Sequence, residues 1–173
     1  MILSGREIKE QVRSGGIVIE PYDSARVEPN SYGFSLGEQL LVYDEAIIDP
    51  SLPPLVRKLQ IPESGFVLIP GQFYLGHTHE CIGGVDYASE LYANLSTAAC
   101  GIFVQTSAPL GHTGAIINWT LEITVAQKVR IYPRMRIGKI CFWRVFGDTL
   151  AYSGRYSGSN TVIQSRISKD DAE

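Results

Sequence analysis

Between Leu91 and Gln127 one residue is ionised at neutral pH apart from histidine, and that residue is Glu122. Its neighbours alternate with a period of two. Ile117, Trp119, Leu121, Ile123 and Val125 share one face of a strand, and Asn118, Thr120, Glu122 and Thr124 share the other. The apolar face belongs to a core, which places Trp119 there as well. The polar face either meets water or lines a site. The plain reading is the wet side of a half-exposed antiparallel strand. Two features pull against it. Wet strand faces carry several charges of both signs, whereas this one carries a lone carboxylate among uncharged hydrogen-bonding groups. The preceding stretch, Thr106 to Gly114, is a polar loop with Pro and Gly that is able to fold over the face. A carboxylate in such a place is suited to taking a proton from water and passing it on.

Other chemistries have weaker support. His77, His79 and Cys81 alternate and would share one face of a strand, which is the outline of a metal cluster. The same alternation next to Gly83-Gly84 also reads as a strand end. Zinc nucleobase deaminases are signalled by H-x-E with P-C-x-x-C, and no C-x-x-C occurs here. There is no P-loop, no G-x-G-x-x-G and no G-x-S-x-G elbow. Nothing supports Ser/His/Asp catalysis.

The elements that must position these residues are short and strand-rich. The chain has 173 residues, the length of one domain, and 1–173 is expected to be a single domain with a frayed tail over 167–173. Ser4 and Glu7 form an S-x-x-E capping box, with Leu3 and Ile8 at the staple positions. Together they predict a short N-terminal helix that Gly15-Gly16 stops. Strand-like runs follow at 17–20, 40–43, 66–69, 72–76, 102–106, 116–126 and 137–146, divided by Pro and Gly. That pattern suggests a barrel or sandwich. Net charge is −3 with no basic run, which argues against nucleic-acid binding. No apolar run reaches the ~20 residues of a membrane helix. The start MILSGREIKE lacks the apolar segment of a leader, and three scattered cysteines suit a reducing compartment. The expectation is therefore a cytoplasmic protein.

Several separated segments resemble one family. MILSGREI, NSYGFSLG at 30–37 and VYDEAIID are similar to the opening of dCTP deaminases. The block from Leu91 to Thr124 lies on that family's central block without a gap, RIGKICF at 136–142 resembles the strand after it, and Arg155-Tyr156 with SRISKD resembles the family's ending. The chain is thus identified as a divergent member of the dCTP deaminase/dUTPase superfamily. The resemblance implies a mainly β, dUTPase-like distorted barrel of the β-clip type, assembled as a homotrimer with sites between subunits. It also implies zinc-independent deamination of a cytosine nucleotide, with no protein-bound cofactor and with Mg2+ accompanying the substrate phosphates. The catalytic Glu falls on Glu122. The positions that would orient water, base, sugar or phosphate fall on Ser96, Asn94, Thr106, Ser107, Ala108, His112, Thr120, Tyr152, Arg155, Tyr156, Asn160 and Arg166.

The departures bear on the substrate. The family's G-R-S-S-L-A-R motif is Ala93-Asn94-Leu95-Ser96-Thr97-Ala98-Ala99 here, so both of its arginines and its first Ser are replaced. H-R-I-D-P-G is Pro109-Leu110-Gly111-His112-Thr113-Gly114, S-Y-D is Ser31-Tyr32-Gly33, and a C-terminal Gln becomes Asn160. Each charge-assisted bond to phosphate is worth roughly 1.5–3 kcal/mol, so losing several weakens triphosphate binding by orders of magnitude. Arg155 and Arg166 align with basic family positions, and Arg134, Arg136 and Arg144 are further candidates. Three functions are compatible with these residues: deamination of a cytosine nucleotide, dUTPase-like pyrophosphate release, and non-catalytic nucleotide or partner binding by a trimer.

Overall fold

A computed structural model describes residues 1–105 and 107–168. Thr106 and residues 169–173 lie outside the described residues, and the expectation of a frayed tail falls largely on them. The first helix, α1 (Gly5–Ser14), follows Ser4, whose Oγ accepts the Glu7 N–H at 3.3 Å, and it ends at Gly15 with a φ of 84°. Only half of the capping box forms, because the Glu7 carboxylate accepts from Gln11 Nε2 instead. Leu3 and Ile8 are both buried, as a staple requires.

The strands are β1 (Ile17–Glu20), β2 (Tyr32–Ser35), β3 (Gln39–Tyr43), β4 (Val56–Gln60), β5 (Phe66–Leu68), β6 (Tyr74–His77), β7 (Cys81–Gly84) and β8 (Tyr87–Ala93). After a five-residue helix, α2 (Leu95–Ala99), come β9 (Ile102–Val104), β10 (Leu110–Gly111), β11 (Thr120–Val125), β12 (Val129–Ile131) and β13 (Arg136–Arg144). The expected mainly β class is observed. A five-stranded sheet runs β4-β3-β6-β11-β9 and a four-stranded sheet runs β10-β8-β13-β2. Two pairs, β1-β7 and β12-β5, complete the framework. The inner faces meet in one core that includes Tyr32, Phe34, Leu91, Leu121, Ile123 and Phe142, all fully buried. Among the described residues no helix is long and apolar enough to cross a membrane.

Six strands, β2, β4, β7, β8, β10 and β12, fall outside the expected runs, and two of them show the physical reason. β8 reads YASELYA, with Ala, Ser and Glu that favour strands little. Its conformation comes from an unbroken antiparallel pairing with β13, from Gly138 opposite Ala93 to Arg144 opposite Tyr87. β4 reads VRKLQ and lies at the edge of its sheet, where charge suppresses further pairing. The strand expected over 116–126 starts only at Thr120. Residues 117–119 are instead stitched to the turn between β6 and β7. Trp119 N–H donates to Thr78 Oγ1 at 2.9 Å, Trp119 Nε1 donates to Ile82 O at 2.7 Å, and Asn118 Nδ2 donates to Thr78 O and His79 O.

That turn carries a buried acid. Glu80 is 1% exposed. Its carboxylate takes Arg26 Nη1 at 2.9 Å and the Ser35 N–H at 2.9 Å, and Arg26 also donates to Ser35 Oγ. Removing one partner of a buried pair leaves the other charge uncompensated. Arg26→Ala is therefore expected to lower stability by about 3 kcal/mol in urea unfolding, and pairing it with Glu80→Gln is expected to recover part of that loss.

His77, at the end of β6, sits against Gly37, and its Nδ1 lies 2.9 Å from Thr78 O. Burial pushes the imidazole below its usual 6.5. The unfolded chain then binds the proton more readily than the folded one, so stability rises with pH. His77's contribution is full above about 6.5 and is lost as pH falls through the lower folded value. The melting temperature is expected to drop from about pH 7 to about pH 5, with a shallower slope in His77→Phe.

Candidate active site

In β11 the burial alternates as the sequence pattern requires. Leu121, Ile123 and Val125 face the core, and Thr120, Glu122 and Thr124 are half-buried on the other face. That face is not open to water. The C-terminal segment crosses it and is held by two backbone donors on side-chain acceptors and by one backbone carbonyl. Ile163 N–H reaches Thr120 Oγ1 at 3.2 Å, Ser165 N–H reaches Tyr43 O–H at 3.3 Å, and Asn118 N–H reaches Ser159 O at 2.9 Å. Val162 joins Leu41 and Leu75 in a small second core beneath the strap. Between strap and sheet lies a pocket of about 380 Å³ with Glu122 in its wall.

The loop from β9 to β11 closes the pocket from the other side. Gln105 directs it. This residue is 8% exposed and sits at a φ of 57°, a left-handed conformation unusual for a residue other than Gly or Asn. Its N–H donates to Glu122 O at 3.0 Å, its side-chain oxygen accepts the Glu122 N–H at 3.1 Å, and its Nε2 donates to Ala108 O at 3.0 Å. The chain thereby turns back, and the Ser107 N–H donates to Glu122 Oε2 at 3.2 Å. Further on, β10 pairs with β8, and Gly111 lets the loop approach Trp119. A Cβ there would lie 2.4 Å from both the Trp119 ring and Ser89 Oγ.

Of the residues expected at the site, Glu122, Ala108, His112, Thr120, Tyr152 and Tyr156 line this one pocket, and Ser107 touches Glu122 through its backbone. His112 and Tyr152 stack with ring centroids 5.4 Å apart. Tyr156 O–H accepts the Arg166 N–H, and the Arg166 guanidinium lies 5.7 Å above the Tyr156 ring. Arg155 Nη1 donates to Arg166 O at 3.1 Å and Arg166 donates back to Arg155 O, so the two arginines buckle the strap. Neither they nor Asn160 are in the pocket wall.

Ser96 and Asn94 also stand outside the pocket of their own chain. Ser96 is exposed on α2. Asn94 caps α2, its Oδ1 accepting from Thr97 N–H at 2.9 Å and Thr97 Oγ1 at 2.8 Å. Thr106 lies outside the described residues. The expected position of Trp119 is corrected in part. It packs against the core, but it also walls the pocket, because the chain is stitched to the β6–β7 turn before β11 begins. The outline of a metal cluster at His77, His79 and Cys81 does not close. Among the described residues no three His, Cys, Asp or Glu side chains converge.

Sequence reasoning missed Gln105, Asn118, Tyr43 and Phe73. The last two, at the end of β3 and just before β6, stack in near-parallel planes and line the pocket from the sheet that carries Glu122. Its residue type does not mark Gln105, since two of its three bonds go to Glu122, seventeen residues away.

Comparison with known proteins accords with this architecture. A family model described as dCTP deaminase-like matches residues 2–145. The dCTP deaminase of Rhodopirellula baltica is 39% identical over 171 residues, covering 98% of this chain and 86% of its own. A dCTP deaminase, dUMP-forming, from Clostridium beijerinckii is 38% identical over 171 residues, covering 98% of each. The chain belongs to the dCTP deaminase family. The fold agrees with a solved dCTP deaminase of that family, from Agrobacterium tumefaciens, with a TM-score of 0.64 at 19% identity. That match covers 82% of this chain and 47% of the other, so this chain spans about half that structure's length. The expected dUTPase-like β architecture is thereby observed, with dCTP deaminase family members on both the sequence and the structural side.

If Gln105 holds the loop, Gln105→Ala orphans the Glu122 N–H and Ala108 O. The expected result is a loss of about 2 kcal/mol in stability and faster hydrogen exchange at the Ser107 amide, with exchange in the β8–β13 ladder unchanged.

Proposed function

We propose that this protein hydrolytically deaminates a cytosine nucleotide, with Glu122 as the group that moves the protons. The observation that carries this reading is the setting of Glu122. It is a lone carboxylate in the wall of a roofed pocket, held by the Ser107 N–H and by the clamped loop. A carboxylate has about four acceptor positions, so one bond to Ser107 leaves capacity for a water. Glu122 takes a proton from that water as its oxygen attacks C4 of the ring, and returns protons to the ring and to the departing amine. Water and the amino compound become the carbonyl compound and ammonia. Thr120, His112 and the backbone of Ser107 and Ala108 present donors and acceptors to the base, and Tyr43, Phe73 and Trp119 offer it flat apolar surface. Names of relatives such as dCTP deaminase, dUMP-forming, agree with a cytosine substrate.

The reading includes assembly. Leu95 is 82% exposed, and Phe103 and Leu110 also present apolar surface near the site. A homotrimer would cover these residues and bring Asn94 and Ser96 of one copy to the pocket of another, as the family resemblance implies. Magnesium enters only with the substrate phosphates, held by phosphate oxygens rather than by a protein cage. Net charge of −3 and three free cysteines suit the cytoplasm.

The decisive variant is Glu122→Gln, which keeps the shape and removes the base. Ammonia release from a mixture of cytosine nucleotides is expected to fall by about 10²–10⁴-fold, with the melting temperature within a few degrees of the parent. Equal ammonia release from parent and variant sinks the assignment. Pyrophosphate without ammonia points to a dUTPase-like reaction instead.

A further inference from the structure

β9 and β11 pair antiparallel as far as Val104 opposite Ile123. One step further, the ladder would set Gln105 opposite Glu122 and join them by two main-chain bonds. Only one of these forms, from the Gln105 N–H to Glu122 O at 3.0 Å. The other donor, the Glu122 N–H, is taken by the Gln105 side-chain oxygen at 3.1 Å. The carboxamide thus stands in for the main-chain carbonyl of its own residue. That exchange lets the chain leave the strand, through a φ of 57°, without orphaning a donor on the residue that carries the carboxylate.

The departing chain is turned straight back. Gln105 Nε2 holds Ala108 O at 3.0 Å, and between these anchors the Ser107 N–H meets Glu122 Oε2 at 3.2 Å. Glu122 is therefore gripped at its N–H, its carbonyl and its carboxylate, twice by Gln105 and once by Ser107. Both ends of the Gln105 carboxamide are engaged by the chain itself. All of these bonds lie within one chain, so they hold whichever copies meet at the pocket.

We infer that Gln105 is a positioning residue of the reaction, which sets the direction of the Glu122 carboxylate and through it the rate of proton transfer, and which leaves nucleotide binding to other groups. This rests on the deamination reading above and adds a residue to it. The core fixes the backbone of Glu122, but its side chain still turns about its own torsions. The Ser107 amide limits that turning, and Gln105 aims the amide. Proton transfer needs the two heavy atoms within about 2.6–3.2 Å, so a carboxylate free to turn spends less time in reach of the water. The role is exacting. It needs an acceptor and a donor on one planar group long enough to reach both Glu122 N–H and Ala108 O. Glutamate lacks the donor, and asparagine is shorter by one methylene.

The test uses the full chain as purified, with magnesium, and whichever of dCTP, dCMP and CMP the parent deaminates fastest. The variants are Gln105→Gly and Gln105→Asn. Both residues accept a left-handed backbone, and neither reaches the two partners. Each variant is assayed well below its own melting temperature, so that lost stability does not enter the rate. In both, kcat is expected to fall about 10–100-fold while KM stays within about threefold of the parent, the pattern of an interaction that counts in the transition state alone. The thermal shift produced by the same nucleotide is expected to match that of the parent, which reads binding without turnover. A kcat within about twofold of the parent overturns the inference. So does a KM that rises as far as kcat falls, or a thermal shift that is lost, and each of these leaves deamination standing. No ammonia from the parent with any of the three nucleotides overturns deamination, and this inference with it.

Discussion

Leu121 and Ile123 are fully buried on either side of Glu122, and they set the rotation of β11 about its own axis. Because side chains alternate across a strand, seating those two in the core obliges Glu122 to point to the opposite face. A one-residue slip would exchange them, placing a carboxylate in the core and a leucine in the pocket, at a cost no local contact could offset. The register is held on both sides. Glu122 lies opposite Leu75 of β6, and Ile123 lies opposite Val104 of β9. The strap and the loop are fitted around a carboxylate whose place the core has already determined.

Two further devices adapt this strand to a site. The first is the stitch between the β6–β7 turn and residues 117–119, in which Thr78 acts as both donor and acceptor. Its hydroxyl donates to Glu80 O and accepts from Trp119 N–H. Glu80, buried and paired with Arg26, stiffens the same turn from the far side, so the entry to β11 is fixed by a side-chain network that adds to the backbone bonds at Thr78–Trp119 and Ile82–Ile117. The second is Gln105, which keeps one backbone bond to Glu122 at the exit of β9 and adds two side-chain bonds, to Glu122 N–H and Ala108 O, beside the bond from the Ser107 amide to the Glu122 carboxylate. Such networks depend on every member being satisfied, which is why their residues are sensitive to small changes.

Much of this was legible in the sequence where the code is local. The α1 boundaries followed from Ser4 and Gly15, and the face of Glu122 followed from alternation. What alternation could not decide was whether the polar face was wet, because the answer lies in a segment some forty residues away. Ile163 and Ser165 cover that face through backbone donors, which carry no side-chain signature. Gln105 was illegible for a related reason, since its left-handed backbone is imposed by distant acceptors rather than by glycine. β8 was hidden because its strand character belongs to its pairing with β13 and not to its own residues. Glu80 carries no signal in the sequence, and only the fold reveals Arg26 and Ser35 converging on it. Family resemblance supplied what periodicity could not, by drawing Tyr152 and Tyr156 to the same site as Glu122.

Glu122 and the positions that the family resemblance assigns to phosphate-binding arginines stand in different parts of the fold. Glu122 stands on a central strand whose rotation the core dictates, and most of its surroundings are shared with the framework. The positions of the missing arginines lie on α2, a short exposed helix at the end of β8, where side chains bear little of the fold's stability. Ala99 is exposed and favours the helix. Asn94 gains a cap that an arginine cannot provide, worth roughly 0.5–2 kcal/mol. Asn94 and Ala99 are therefore neutral or favourable for folding where they stand. Glu122 is thus coupled to the core, whereas Asn94 and Ala99 stand on a short helix that the core constrains little.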